Sequence, residues 1–538
     1  MNFDELLKLV SSDNAPKIRV DSRAIEAGDI FVAVKGTVYD GHNFIDQAIA
    51  NGAEYIVSQK DKSSIEHRVS SIKTIVVDDS AEAAAVLAQA SRGNPASQLT
   101  NLAVTGTNGK TTVAYLVRSC IQKAGQKCGL LGTVIYDTCS GKSSESILTT
   151  PDCLTIAAGQ EEMVKNGAKY MVIEASSHAL SQNRLAGINF KAAAFTNLAG
   201  DHLDYHKTQE DYLAAKTRLF SALSPNAVAV LNKQSPQAEL IAKSALADHS
   251  RTKILWYAIA PTACCPPPRL ASEDAGAGRK PAVGADITAH IESMDMGGTV
   301  FTLEYANRSA IVKTPLLGRY NISNCLAAAG LCLAAGLGLE TIAAGLSARQ
   351  TIPGRLESLD WPGDFSVIID YAHTDDALKN VLSTLKHLCN GELRVVFGCG
   401  GDRDKTKRPR MAKVTEQLAD FIIVTSDNPR TEKPEDIINE IIAGFEKGPL
   451  IEHADLRETS DKQRAPSRLR RAGRATIIIE PDRKKAIELA IRTAGKDDIV
   501  LIAGKGHETY QIIGTQKFAF SDKVVAEEHL RKQFKNSK

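Results

Sequence analysis

Several things are missing from this 538-residue chain, and each absence narrows what it can be. Its 10 cysteines include no C-x-x-C spacing, and Cys264 and Cys265 are the one adjacent pair. A disulfide framework or a zinc site is therefore not expected, and a reducing compartment fits best. No apolar run reaches the roughly 20 residues that cross a bilayer. The nearest, Leu326 to Leu339, is broken by glycines and reads as a buried helix. The opening stretch MNFDELLKLV is acidic and has no basic segment before an apolar core, so no secretory signal is expected. A basic excess is missing too, since the formal net charge is +2, which argues against a general nucleic-acid binder. These absences predict a cytoplasmic protein without membrane insertion or a nucleic-acid partner. What is present is the composition of an ordinary globular protein, 43% hydrophobic and 24% charged. At about 150 residues per domain, the length predicts three or four domains.

The most informative stretch is Leu102 to Thr112, LAVTGTNGKTT. An apolar run stops at Thr105, Gly106 and Gly109 let the backbone curl, and Lys110, Thr111 and Thr112 open a helical sequence. That is the layout of a phosphate loop. Backbone N–H groups and a helix N-terminus face the anion, the lysine reaches the outer phosphates, and a hydroxyl holds Mg²⁺. One position departs from the common form, which has glycine six residues before the lysine, where this chain has Val104.

Read in order, residues 1–96 alternate short strand-like runs (IRVDS, IFVAV, AEYIVS, KTIVVDD) with helical ones, a small α/β unit ending near Asn94-Pro95. A second unit, 97–350, repeats the rhythm, and open α/β sheets bind ligands at the carboxyl ends of their strands. Strand Leu102 to Val104 ends in the phosphate loop. Tyr170 to Ile173 ends in Glu174, and Ala192 to Phe195 ends in TNLAGDHLDYH. Three neighbouring strands would thus deliver Thr111, Glu174 and His202 to one crevice. An acidic residue beside a phosphate loop usually serves Mg²⁺, which is the role expected of Glu174. For His202, within the cluster Asp201, His202, Asp204 and His206, the residues alone leave ligation and packing both open.

Thr208-x-x-Asp211 reads as a capping box, and the helix after it places Tyr212, Leu213, Leu219, Phe220 and Leu223 on an apolar face. Lys216 falls on that same face, where it must snorkel, pair or change its charge. Snorkelling is the reading the residues alone favour. From Tyr257 to Ala285 the sequence turns rich in Pro, Ala and Gly, the composition of a long loop or insertion. The third unit, 351–538, again ends its strands in polar loops: DYAHTDD, GCGGDRDKTKRP, TSDNPR and GKGHE. A second intrusion, His453 to Arg474, holds seven Lys or Arg against three acidic residues without interleaved aromatics, which fits a solvated loop better than a nucleic-acid patch.

Taken together, DSR at 21–23, GTNGKTT at 106–112, TTPD at 149–152, EASSHAL at 174–180, DHLDYH at 201–206, Lys216, PGRLE at 353–357, DYAHT at 370–374, GCGGDRDK at 398–405, DNPR at 427–430 and GKGHE at 504–508 resemble the motifs of the Mur ligases, the family that builds the peptide stem of bacterial peptidoglycan. The resemblance spans nearly the whole chain outside the two insertions. It implies a three-domain α/β architecture: an N-terminal UDP-substrate domain (1–96), a central ATP-binding domain on a P-loop-type parallel sheet (97–350, insertion about 258–285), and a Rossmann-like amino-acid-binding domain (351–538, insertion about 453–474). Within the family, DNPR and GKGHE point to members that add meso-diaminopimelate to UDP-N-acetylmuramoyl-L-alanyl-D-glutamate through an acyl phosphate.

The same resemblance implies site residues. ATP would meet Gly106, Thr107, Asn108, Gly109, Lys110, Thr111, Thr112, Asn324, Arg355 and Asp370, with His373 nearby. The UDP-linked substrate would meet Val20, Ser22, Thr37, Val38, Tyr39, Thr149, Thr150, Ser176, Gln182 and Arg184. Diaminopimelate would meet Arg403, Asp427, Asn428, Pro429, Arg430, Gly504 and Glu508. Lys110, Glu174, His202 and Lys216 would be catalytic. Glu174, His202 and a Lys216 carbamoylated by CO₂ would surround one Mg²⁺ and Thr111 would hold a second, the carbamoylation turning a repelling ammonium into an anionic oxygen ligand. A monomer acting on small-molecule substrates is expected. Asp375 stands where relatives commonly have proline. Competing readings are a lysine-adding ligase, a folylpolyglutamate synthetase, and a nucleotide-binding scaffold without turnover. DNPR weighs against the first, the N-terminal DSR unit against the second, and the intact set Lys110, Glu174, His202, Lys216, Arg430 and Glu508 against the third.

Overall fold

Short apolar runs that end in polar loops become the strands of three separate sheets. The computed structural model describes residues 1–36, 39–59, 72–201, 203–248, 251–261, 284–348, 351–446, 450–452 and 475–536. Thr37, Val38 and His202, nearly all of the Pro/Ala-rich stretch, and the basic intrusion at 453–474 lie outside the described residues.

The first sheet is parallel, with β1 (Ile18–Arg19), β2 (Ile30–Val32), β3 (Tyr55–Gln59) and β4 (Lys73–Val77) side by side in that order. The central sheet has eleven strands: β5 (Thr100–Thr105), β6 (Cys128–Leu131), β7 (Ile135–Asp137), β8 (Ser143–Glu145), β9 (Tyr170–Glu174), β10 (Phe190–Phe195), β11 (Val228–Asn232), β12 (Lys253–Ile259), β13 (Ile287–Asp295), β14 (Gly298–Tyr305) and β15 (Arg308–Thr314). Their spatial order is β15-β14-β13-β12-β11-β10-β5-β9-β6-β7-β8. Strand β12 runs on through Ile259, so the strand continues past Tyr257, where a loop was expected to begin. Tyr257 is buried there, and its hydroxyl donates to the Phe195 carbonyl at 3.1 Å.

The phosphate-loop strand β5 lies between β10 and β9, parallel to both, with Val104 opposite Glu174 and Thr105 opposite Phe195. Alternation along the strands divides the core. Leu102, Val104, Ala192 and Ala194 pack on one face with Val113, Leu116 and Leu326. Ala103, Ala193, Phe195 and Ile173 pack on the other with Leu219 and Phe220. The first face is covered by α1 (Lys110–Lys123) and the second by α2 (Gln209–Ser221). These inner strands pair in parallel and are covered on both sides, which explains why their middles are apolar.

The third sheet contains β16 (Glu357–Ser358), β17 (Ser366–Asp370), β18 (Leu393–Phe397), β19 (Phe421–Val424), β20 (Leu450–Glu452), β21 (Thr476–Ile479) and β22 (Ile499–Ala503), in the order β16-β17-β22-β18-β19-β21-β20. A hairpin of β23 (Tyr510–Ile513) and β24 (Gln516–Ala519) follows. Among the described residues eight cysteines are free thiols, and no helix is long and apolar enough to cross a membrane.

Candidate functional site

The loop after β5 takes its shape from two glycines in the left-handed region, Gly106 at φ +148° and Gly109 at φ +91°. Side chains there would be strained, and they would also collide, at Gly106 with the Thr196 hydroxyl and at Gly109 with the Asn324 amide. Asn324 thus packs against the loop, held by a bond to Asn321 at 3.1 Å. Helix α1 starts at Lys110 directly after this turn, so its N-terminus opens onto the loop. Asn108 N–H donates to Asn197 Oδ1 at 3.0 Å, and Thr196 Oγ1 donates to the Asn108 carbonyl at 2.6 Å. The end of β10 therefore braces the phosphate loop, while Thr112 is buried in the first turn of α1.

Glu174 is fully buried at the end of β9. Thr111 Oγ1 donates to its Oε2 at 3.0 Å, the Thr133 hydroxyl to the same oxygen at 2.9 Å, and the Thr133 N–H to Oε1 at 2.8 Å. The sequence placed Thr111 and Glu174 in one crevice, and here they touch. Thr133, between β6 and β7, was not singled out. Its only signal was a hydroxyl after a glycine at a strand end.

Lys216 does not snorkel. It is 1% exposed, and its Nζ donates to the Gly106 carbonyl at 2.9 Å and lies 4.2 Å from the Tyr212 ring centre. Lys110 Nζ donates to the same carbonyl at 2.9 Å and to that of Thr107 at 2.9 Å. Two amines therefore converge on one oxygen. Burial is the main reason the Lys216 amine sits well below the ordinary lysine range, with Lys110 adding to the effect and Asp201 opposing it. Lys110 is lowered by burial as well, with Glu174 and Asp201 opposing. The Tyr212 hydroxyl shares a 3.2 Å bond with Thr107 Oγ1, so the helix carrying Lys216 is tied to the loop at a second point.

Thr111 and Glu174 offer a hydroxyl and a carboxylate side by side, the hard oxygens Mg²⁺ prefers. A neutral Lys216 amine is the form that can add CO₂, and a carbamate there would be a third such ligand. Among the described residues no group of three His, Cys, Asp or Glu could hold a metal ion by itself. The donor set therefore fits a magnesium ion shared with a polyphosphate better than a resident metal caged by protein alone.

The third unit closes on this loop. Asn108 Nδ2 donates to Asp376 Oδ2 at 3.0 Å, and Arg355 Nη2 to Thr111 Oγ1 at 3.3 Å. Arg355 also stacks on Tyr371, 4.5 Å from the ring centre. Asp370 engages the backbone N–H groups of Leu356 and Ala372 at 2.7 and 2.8 Å, which leaves it to position the Arg355 loop. Burial pulls the neighbouring His373 down to about 4.

Toward the first unit, Thr150 Oγ1 donates to the Glu174 carbonyl at 2.7 Å and lies 2.9 Å from Ser176 Oγ. Arg184 donates to the Thr150 carbonyl at 2.8 Å and to Gln182 Oε1 at 2.6 and 2.9 Å. Thr149 Oγ1 lies 3.2 Å from the Thr133 hydroxyl, which it can reach as a donor. This chain of contacts links Thr149, Thr150, Ser176, Gln182 and Arg184 to the Glu174 strand. On the first unit itself, Ser22 is buried against Gln47 at 2.8 Å, whereas Val20 and Tyr39 are exposed. The two units meet where Asn183 Nδ2 donates to Asp79 Oδ2 at 2.8 Å.

A third group gathers Asp427, Asn428, Pro429, Arg430, Gly504 and Glu508 at the ends of β19 and β22. Asn428 Nδ2 donates to Glu508 Oε2 at 2.8 Å. Arg430 holds φ +52°, uncommon for a residue with a side chain, and donates to the Gly401 carbonyl at 2.7 Å. Gly504, at φ +114°, lets the chain pass Asp427, and Arg403 lies in the neighbouring loop beside Gly400.

Three family models match consecutive parts of the chain: "Mur ligase family, catalytic domain" over 16–92, "Mur ligase middle domain" over 104–332, and "Mur ligase, glutamate ligase domain" over 354–506. A UDP-N-acetylmuramoyl-L-alanyl-D-glutamate–2,6-diaminopimelate ligase of Geobacillus kaustophilus is 38% identical over 515 residues, 95% of this chain and 93% of the relative. The chain belongs to the Mur ligase family. A ligase of the same name from Gloeobacter violaceus is 39% identical over 541 residues, covering 99% of both chains. Among solved structures, one described as UDP-N-acetylmuramoyl-L-alanyl-D-glutamate–2,6-diaminopimelate ligase aligns with a TM-score of 0.64 at 31% identity, covering 99% of each chain. As a Mur ligase, the chain has the three-domain α/β architecture that the ordered motifs imply.

Proposed function

We propose that this Mur ligase joins meso-diaminopimelate to the D-glutamate of UDP-N-acetylmuramoyl-L-alanyl-D-glutamate with hydrolysis of ATP to ADP and phosphate, as a cytoplasmic monomer. The observation that carries the reading is the convergence at the phosphate loop. Lys110 and Lys216 meet at the Gly106 carbonyl, Thr111 touches Glu174, and Arg355 and Asp376 reach in from the third unit.

In the first step a carboxylate oxygen of the glutamate attacks the γ-phosphorus, the bond to the β-phosphate oxygen breaks, and ADP leaves an acyl phosphate behind. In the second, the amine of the incoming acid attacks the acyl carbon, phosphate departs, and the amine proton passes to solvent. Two anions must approach each other, so the N-terminus of α1 and Lys110 draw the polyphosphate charge onto protein donors. Mg²⁺, when bound, supplies further positive charge. Thr111, Glu174, His202 and carbamoylated Lys216 are the residues we assign to hold it. Arg355 and Asp376 bring the amino-acid unit over the loop, shielding the acyl phosphate from water.

Arg430 supplies the choice of amino acid. Diaminopimelate differs from lysine by a distal carboxylate, which a guanidinium clamps in two parallel bonds. Lysine would leave that guanidinium without a carboxylate partner. The test is phosphate release with ATP, Mg²⁺ and the UDP-dipeptide, comparing meso-diaminopimelate with L-lysine. A strong preference for diaminopimelate, lost in Arg430→Ala, is expected. Equal or better use of lysine overturns the assignment.

A further inference from the structure

Lys505, the lysine of GKGHE, is fully buried, and nothing above gives it a role. Its Nζ donates to Asn428 Oδ1 at 3.0 Å and to Glu508 Oε2 at 2.9 Å. The N–H of Ile512, in β23, donates to the same Asn428 oxygen at 2.9 Å. An ammonium and a backbone N–H are donors only, so the Asn428 atom facing them must be its oxygen. The amide has then one remaining direction for its NH₂ group, and that group donates to Glu508 Oε2. Glu508 Oε2 in turn collects both donors, while Oε1 takes part in neither bond. The Glu508 N–H closes a turn onto the Lys505 carbonyl at 3.0 Å, so the carboxylate is also held through the backbone.

From this network, and resting on the function proposed above, we infer that Lys505 is a positioning residue for the amino-acid substrate. Together with the Ile512 N–H it fixes the direction of the Asn428 amide, and by holding Glu508 Oε2 it presents Oε1 as an acceptor for a substrate ammonium. Diaminopimelate carries two carboxylates and two ammonium groups, so its pocket must offer donors and acceptors at set places. Arg430 is a donor at one end. Without Lys505 the Glu508 carboxylate loses a charge-assisted bond and is free to turn toward solvent or toward Arg430.

The test is steady-state kinetics of Lys505→Met, which keeps the unbranched stem, one atom shorter, and removes the donor. The KM for diaminopimelate is expected to rise at least tenfold, the loss of about one charge-assisted bond. The KM values for ATP and the UDP-dipeptide are expected to stay within twofold. A uniform loss of activity with unchanged KM values, or a diaminopimelate KM within twofold of wild type, overturns the inference. A double-mutant cycle with Glu508→Gln adds a readout that a merely structural lysine would not move. If Lys505 works through Glu508, Lys505→Met adds little in the Glu508→Gln background, and full additivity refutes it. Should Lys505→Met not fold, Lys505→Gln takes the same measurements, and an unchanged diaminopimelate KM is again the refuting result. Wild-type enzyme that uses lysine but not diaminopimelate overturns the Arg430 assignment instead. The cycle is then run with lysine and judged on its own, and wild type that uses neither overturns both.

Discussion

Replacing Lys216 by methionine separates what the residue contributes to chemistry from what it costs the fold. The side chain is 1% exposed, and among the described residues its amine meets one carbonyl and one aromatic ring. That carbonyl, of Gly106, keeps Lys110 as a donor when Lys216 is gone, so no acceptor is orphaned. Methionine fills a similar volume without a polar tip. Removing a buried amine that has few partners among the described residues then stabilises the protein, by more as the pH falls below the ordinary lysine range. Turnover, in contrast, is expected to fall on the order of 10²-fold or more, as when a group stabilising transition-state charge is lost.

The sign of the pH dependence follows from the direction of the shift. The folded-state pKa of Lys216 lies well below the ordinary lysine range, chiefly through burial. Above the unfolded value the amine is neutral in both states and carries no penalty. As pH falls below it, the unfolded chain takes up a proton that the folded chain refuses. Wild type therefore loses up to about 1.4 kcal/mol per pH unit until the folded amine itself protonates. Thermal unfolding of wild type and Lys216→Met in CO₂-free buffer should show a gap in Tm, in favour of the variant, that widens from pH 9.5 to pH 7. Bicarbonate should then raise the Tm of wild type and leave the variant unmoved. A variant that melts below wild type by a pH-independent margin, or turns over near normally, refutes the reasoning.

Glu174→Gln keeps the shape that Thr111 and Thr133 bond to but removes the charge. It should lower turnover about 10²-fold and raise the Mg²⁺ concentration for half-maximal rate, and an unchanged magnesium titration would contradict the assigned role. Asp376→Ala deletes the 3.0 Å bond to Asn108 that joins the third unit to the phosphate loop. A loss of about 1.5 kcal/mol from the closed arrangement predicts a roughly tenfold fall in kcat/KM, together with a larger radius by solution scattering in the presence of an ATP analogue. Arg483→Met strands Asp522, which is fully buried and accepts two 2.7 Å bonds from the guanidinium. Chemical unfolding should show a loss of about 3–5 kcal/mol, and Arg483→Met with Asp522→Leu should recover most of it.

The sequence carried the positions where chemistry gathers because a strand ending in a polar loop is a local pattern. Glu174 after YMVI, the glycine turn after LAVT and the run TNLAGDHLDYH after AAAF could each be read without knowing a neighbour. Adjacency of β10, β5 and β9 was a reasonable guess from chain order, yet the insertion of β9 between β5 and β6 was not. That pairing is what lets Thr133, far from Glu174 in sequence, hold both carboxylate oxygens. Lys216 was legible as an anomaly on an apolar face but not as a buried amine. Its fate depends on which surface α2 meets, and that surface is the Gly106 carbonyl. Contacts between units, such as Asn108 with Asp376, leave no periodicity behind, so no amount of local reading reaches them.

The two lysines at one carbonyl make sense only in relation to what the site must receive. Each amine is displaced from its ordinary range by burial, and each would be more stable in solvent. A fold selected for stability alone would place methionine or leucine at 216 and would have no reason to aim Lys110 back at its own loop. Negative charge brought in by a polyphosphate and a substrate carboxylate reverses the balance. Lys110 then gains anionic partners beside the two carbonyls it meets, and a Lys216 carbamoylated as proposed would carry the sign that attracts Mg²⁺. Burying two amines at the loop thus works against folding and in favour of binding anions. The contacts from Arg355 and Asp376 fit the same logic, since they come from the third unit and, on the proposed function, would bring the incoming amine over the loop.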